Sequence, residues 1–121
     1  SINGIYFIKG EAYLSSDIGI SVIDLDKKEI KNTYVIGKTS GAIRVNAICA
    51  DATKIYAAND EGVKAAPINS VNLQNYALWQ TFDTAEGLIP YISKYTATVN
   101  NRVFAVIRDT LFEYNGTKWP K

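Results

Sequence analysis

Hydrophobic and polar positions along this chain fall into short runs separated by turn residues, with no long periodic stretch. Alternation is clear in segments such as "NTYVIG" at 32–37, and it fades in "VNAICA" at 45–50, where small and apolar residues occupy both faces. The first pattern fits a strand with one solvated side, the second a strand enclosed between neighbouring sheets. On this basis strands are predicted at 4–8, 12–16, 19–25 and 30–36, then at 44–50, 54–58, 62–67 and 77–82, and finally at 93–99, 102–107 and 110–115. Apolar residues at three- and four-residue spacing are nearly absent. The best helical candidate, "VNLQNYALW" at 71–79, is short and Asn-rich, and predicts at most a helical turn.

The strands recur as a unit. Tyr13 and Gly19 lie 43 positions before Tyr56 and Gly62 with no gap between them, and Phe104 follows Tyr56 by 48. A period of 40–50 residues with several short strands in each period is the signature of a β-propeller, one four-stranded blade per repeat. The predicted fold is therefore an all-β propeller fragment of about two and a half blades: 4–36, 44–82 and an incomplete 93–119. Gly62 falls where the central hairpin turns or approaches a neighbouring backbone closely. Tyr13, Tyr56 and Phe104, at equivalent positions, are expected to pack between blades. Two and a half blades do not close a ring, so self-association of the chain is expected, to cover its open sheet faces.

Composition agrees with a folded domain and narrows the function. Of 121 residues 47% are apolar and 21% charged, which suits a chain that buries a core. The charges are scattered and sum to +1, giving no electrostatic footprint for nucleic acid or an anionic membrane. No apolar run is long enough to span a bilayer. The first residues lack the pattern of a secretory signal, and the absence of any methionine points to a mature form or an excised piece. Histidine is absent, which removes the commonest general base and most zinc and iron sites. The single cysteine, Cys49, excludes an internal disulfide and is read as a small core residue.

Close acidic groups occur at Asp24, Asp26 and Glu29, and at Asp60 and Glu61, all in predicted hairpin turns, where aspartate ordinarily serves the turn. The first group fails the calcium-loop pattern. No catalytic residue, metal ligand or cofactor is assigned. Binding candidates are Trp79, which closes the Asn-rich loop and offers a flat face for a sugar ring, together with Asp60 and Glu61 at a rim loop. The loops at 37–43, 59–61 and 83–91 are the expected binding rims. Asn115-Gly116-Thr117 matches an N-glycosylation acceptor, and is read as a turn.

Three features carry a more specific likeness: the hairpins in "YLSSDIGISVID" and "IYAANDEGVKAAP", the outer strand "KEIKNTY", and the loop "NLQNYALW", with "TLFEYNGTKW" as a blade ending. Together they resemble the amino-terminal propeller of the PorZ-like proteins of the Bacteroidetes type IX secretion system, within the wider set of two-component-regulator-type propeller repeats. The resemblance implies a periplasmic or cell-surface, non-enzymatic scaffold that binds protein or surface polysaccharide. The same repeats also build periplasmic sensors of hybrid two-component receptors that recognise oligosaccharides, the alternative reading. It further implies that Asp83-Thr84-Ala85 and Asp109-Thr110-Leu111 match a short O-glycosylation pattern.

Overall fold

The computed structural model describes Ser1–Lys121 as three antiparallel sheets. The first contains β1 (Ile2–Ile8), β2 (Glu11–Ser16), β3 (Ile20–Asp24) and β4 (Glu29–Tyr34). The second contains β5 (Val45–Ala50), β6 (Lys54–Asn59), β7 (Gly62–Pro67) and β8 (Gln80–Phe82). The third contains β9 (Ser93–Val99), β10 (Arg102–Ile107) and β11 (Thr110–Glu113). Each sheet is a meander in chain order, so the all-β propeller-type arrangement expected from the repeat is present. The first strands lie side by side, with β5 packed against both β1 and β9.

The middle sheet explains the loss of alternation. On β6, Ile55 and Ala57 pack into the core shared with the first sheet, while Tyr56 between them packs into the core shared with the third. A strand buried on both faces has no polar side to display. The first joint is filled by Tyr13, Ile20, Val22, Ile55 and Trp79, the second by Tyr56, Phe82, Leu88, Val103 and Trp119. In the second joint the aromatic rings meet edge-on or tilted, with Trp119 5.5 Å from Phe82 and 6.3 Å from Tyr56 between centroids. Such contacts add to simple area burial. Tyr13 and Tyr56 therefore pack between sheets, whereas Phe104 is half-buried on the outer face of the third sheet beneath the Arg102 guanidinium.

Several strand ends differ by one or two residues from the sequence-based expectation, as where β1 begins at Ile2 and β4 ends at Tyr34, and two differences have a cause in the adjoining turns. The strand expected at 77–82 is only Gln80–Phe82, because Asn75 caps a 3-10 turn over Tyr76–Leu78 by accepting from the Ala77 amide. The strand expected at 110–115 ends at Glu113, and the Asn115 carboxamide then accepts from the Thr117 and Lys118 amides. That turn sends the chain back so that the Trp119 amide donates to the Glu86 carbonyl at 2.7 Å and its ring fills the second joint.

Gly19 and Gly62, the repeated pair, both have positive φ, +154° and +119°. They face different neighbours. A Cβ on Gly19 would lie 2.2 Å from the Tyr34 carbonyl oxygen, whereas on Gly62 the nearest atom, the Pro90 Cα, would be 3.5 Å away. Gly19→Ala should therefore cost more than the roughly 1–2 kcal/mol of left-handed backbone strain alone, and Gly62→Ala about that strain. Urea unfolding of the two variants checks the order.

Candidate functional site

The three first strands share one local irregularity. The pairing of β1 with β2 skips Asn3, that of β5 with β6 skips Asn46, and that of β9 with β10 skips Lys94. These bulge residues are separated by the same 43 and 48 positions as the aromatic repeat. A bulge leaves one residue out of the ladder and re-aims its side chain. Here the side chains are aimed at the next sheet. The Asn3 amide donates to the Val45 carbonyl at 2.9 Å and to Asp17 at 3.1 Å; the Asn46 amide donates to the Ser93 carbonyl at 2.9 Å and to Asp60 at 3.2 Å. Asp17 and Asp60 are themselves repeat equivalents. Each sheet is thus clamped to the next by one amide, which a hairpin carboxylate orients.

In the third sheet the series changes: Lys94 replaces the asparagine, Arg108 stands at the aspartate position, and Tyr95 replaces the small Gly4 and Ala47. Lys94 and Tyr95 border an open cleft of about 630 Å3 where the three first strands converge, whereas Arg108 lines the adjoining depression with Tyr91. Asn3, Arg44, Asn46, Asp60, Lys94 and Tyr95 line it, so every sheet contributes. The Arg44 guanidinium donates to the Asn46 carboxamide oxygen at 3.2 Å and lies 3.6 Å from Asp17. The hydrogen bond from Asn3, assisted by the nearby amino terminus and against partial desolvation, holds the Asp17 carboxyl below the usual range. Behind Tyr95, the Arg108 guanidinium lies 4.4 Å from the centre of the Tyr91 ring. The rim therefore offers fixed amides, cations and one exposed aromatic face.

Of the three sequence candidates, only Asp60 borders this cleft. Glu61 points the other way: its carboxylate accepts from the Lys38 amide at 3.1 Å and pairs with the Lys64 ammonium at 2.8 Å. The Lys64 side chain is 1% exposed and also donates to the Thr81 hydroxyl at 2.7 Å. Burial pushes the Lys64 ammonium below its usual value, and Glu61 only partly opposes this. For Glu61 burial acts to raise the carboxyl, but Lys64 and the Lys38 amide outweigh it and leave the group below the ordinary range. Glu61 thus fastens the 37–43 loop over a buried cation. Trp79 is also displaced from a binding role: it is 5% exposed, packs in the first joint and donates its indole N–H to the Leu73 carbonyl at 2.9 Å, so no ring face is free for a sugar. Asparagine followed by a small residue in "INGI" and "VNAI", at the repeat spacing, was the sequence signal for the clamp; the distance from either to "SKYT" matches as well.

Two other acidic groups, Asp24 and Asp83, serve local structure. Asp24 accepts from the Asp26 and Lys27 amides, and Asp83 caps a 3-10 turn with Glu86 returning the bond. No group of three or more histidine, cysteine, aspartate or glutamate side chains converges as a metal site would require. Cys49 is buried beside the Thr96 hydroxyl at 3.3 Å, and desolvation pushes its thiol up to about 11.

Three sheets meandering in sequence, with their first strands side by side about a common axis, define a β-propeller assembly. The family model for the N-terminal β-propeller domain of PorZ, from the type IX secretion system, matches residues 1–80, and the chain belongs to that family. Its structure is similar to that of PorZ from Porphyromonas gingivalis, described as an essential bacterial surface component of the type-IX secretion system, with a TM-score of 0.78 at 17% identity. The alignment covers 99% of this chain and 16% of that one, so the chain spans about a sixth of its length. No curated protein matches.

Glu61→Gln should lower stability by about 3 kcal/mol at neutral pH, by leaving Lys64 buried without its counter-charge. The folded-state carboxyl is depressed, so its stabilisation is present above the unfolded value and is lost as pH falls through the folded one. The gap between wild type and variant in urea unfolding should narrow below about pH 4. Cys49 should react with a thiol reagent only at the rate of unfolding; rapid labelling of the folded chain would contradict its burial.

Proposed function

We propose that the chain is a non-enzymatic binding and scaffold module of a secreted or periplasmic type IX secretion protein, and that its axial cleft holds a surface polysaccharide at the cell envelope. The single observation behind this reading is the departure from the repeat at the cleft. At the positions where the first two sheets place Asn, a small residue and Asp for clamping, the third places Lys94, Tyr95 and Arg108. An exposed tyrosine face suits a sugar ring, and ammonium and guanidinium groups suit carboxylate or phosphate substituents. Asn3 and Asn46 sit at the same rim with fixed amide orientation.

A binding role is supported over catalysis by the chemistry at hand. The cleft amides are committed to backbone carbonyls, Asp60 is held by Asn46, and the one thiol is buried away from the cleft in its protonated form. Family membership favours a secretion role over the sensor reading, which rests on the repeats alone. No helix is long and apolar enough to cross a membrane.

The test is titration with a carboxylated polysaccharide, polygalacturonate, against neutral dextran. Wild type should bind polygalacturonate more tightly, and Lys94→Ala and Tyr95→Ala should each weaken binding about tenfold, equivalent to about 1.4 kcal/mol. Both side chains are exposed or at the rim, so the urea midpoint should not move. Unchanged binding in both variants would overturn the site and leave a protein partner as the occupant to seek.

A further inference from the structure

The two inter-sheet joints are built from the same repeat positions, and one of them lacks a ring. From its leading sheet the first joint takes Tyr13, Val22 and Tyr34; the second takes Tyr56, Ala65 and Phe82, their equivalents by strand register. The facing sheet supplies Ile55, Ala57 and Ala66 to the first joint, and Val103, Ala105 and Tyr114 to the second. In the last pair a methyl group stands where the other joint has a phenol ring. That ring, half-buried, meets Tyr56 edge-on at 5.8 Å and Phe82 at 5.2 Å, and the Lys54 ammonium donates to its hydroxyl at 3.0 Å. All ring-to-ring contacts of the chain lie in this second joint. In the first, Tyr13 and Tyr34 instead border an open groove of about 350 Å3, together with Val22, Ile68 and Leu73, and with Glu11 at its edge. A hollow of that size suits a ring-bearing ligand. Its lining falls within residues 11–73, so the groove lies in a joint that the first two sheets close between them.

We infer that this groove receives a tyrosine side chain of a polypeptide partner, seated against Tyr13 and Tyr34 as Tyr114 is seated against Tyr56 and Phe82. The hydroxyl is specified by Glu11, whose repeat equivalent is Lys54. Lys54 gives a proton to the Tyr114 oxygen, whereas Glu11 presents an acceptor, so the guest ring must carry a donor. The Glu11 carboxylate accepts from Lys31 on one oxygen and from the Tyr13 hydroxyl at 3.4 Å on the other, and lone pairs remain for a third donor. Extent favours a polypeptide over a free phenol. The groove adjoins a second depression of about 490 Å3 with which it shares Glu11, Tyr13 and Ile68, more room than one ring fills. At its rim Val71, 98% exposed, offers an apolar contact to the residues beside the anchor. An aromatic anchor in a pocket with a wider, weaker surround is the usual distribution of binding energy at protein contacts. The inference rests on the two joints and is independent of the polysaccharide reading of the axial cleft.

Titration of the isotope-labelled chain with the capped tripeptides Gly-Tyr-Gly, Gly-Phe-Gly and Gly-Leu-Gly, followed by amide chemical shifts, tests the assignment. The tyrosine peptide should shift the amides of Tyr13, Val22, Tyr34 and Leu73 and leave those of the second joint in place. The phenylalanine peptide should bind several-fold more weakly, and the leucine peptide should leave the spectrum unchanged. p-Cresol reports the source of the ring: it should bind more weakly than the tyrosine peptide, and equal or tighter binding would give the groove to a free phenol and overturn the polypeptide partner. Ala66→Tyr supplies the ring from within the chain and should abolish peptide binding, with a urea midpoint no lower than that of wild type. Should that variant misfold, Glu11→Ala at the groove edge carries the test, because the tyrosine and phenylalanine peptides should then bind alike. Shifts confined to other regions, equal binding of all three peptides, undiminished binding in folded Ala66→Tyr, or a preference for tyrosine that survives Glu11→Ala would each overturn the proposal.

Discussion

A four-stranded sheet in this chain cannot satisfy itself: it carries apolar side chains on both faces, so each sheet needs a neighbour on each side. The middle sheet shows the constraint met in full, with β6 and β7 buried almost end to end and its two faces serving separate cores. Everything else follows from stacking sheets about an axis. Close approach there requires small residues, as at Gly4 beneath the Asn46 carbonyl, and the widening outside is filled by large ones, Trp79 in one joint and Trp119 in the other.

Polar groups at the joints fix orientation where apolar packing cannot. The Asn3 and Asn46 amides each bridge to a backbone carbonyl of the next first strand, and the Tyr6 hydroxyl reaches both the Ala50 carbonyl and the Thr98 hydroxyl, tying all three first strands together. Lys64 is the costlier device. Its ammonium is desolvated, and a single carboxylate on the neighbouring turn compensates it while pinning the inter-sheet loop. Register between sheets is thereby set by directional contacts, each useless in any other alignment.

The same repetition separates structural residues from those available for binding. Where a position is used identically in successive sheets, its task is the joint. Where the third sheet departs, Lys94 and Tyr95 gather at the axial rim with groups from the other two sheets, and Arg108 lies in the adjoining depression against Tyr91. The chain belongs to the family of the PorZ N-terminal propeller of the type IX secretion system.

Strand order, the all-β fold and the repeat were determined by the sequence alone, because two-residue periodicity, turn residues and a fixed spacing are local signals. The same signals identified Gly62 as a turn and Cys49 as a core residue. Tertiary structure decided the rest. Trp79 looks like a stacking residue in an Asn-rich loop, but the loop folds inward and its indole N–H finds a carbonyl in the core. Asp60 and Glu61 are adjacent in sequence yet face opposite ways, one to the cleft and the other to a buried lysine 2.8 Å away. The bulges that re-aim Asn3, Asn46 and Lys94 depend on pairing between strands, so the site they form exists only once three sheets, distant along the chain, share one axis.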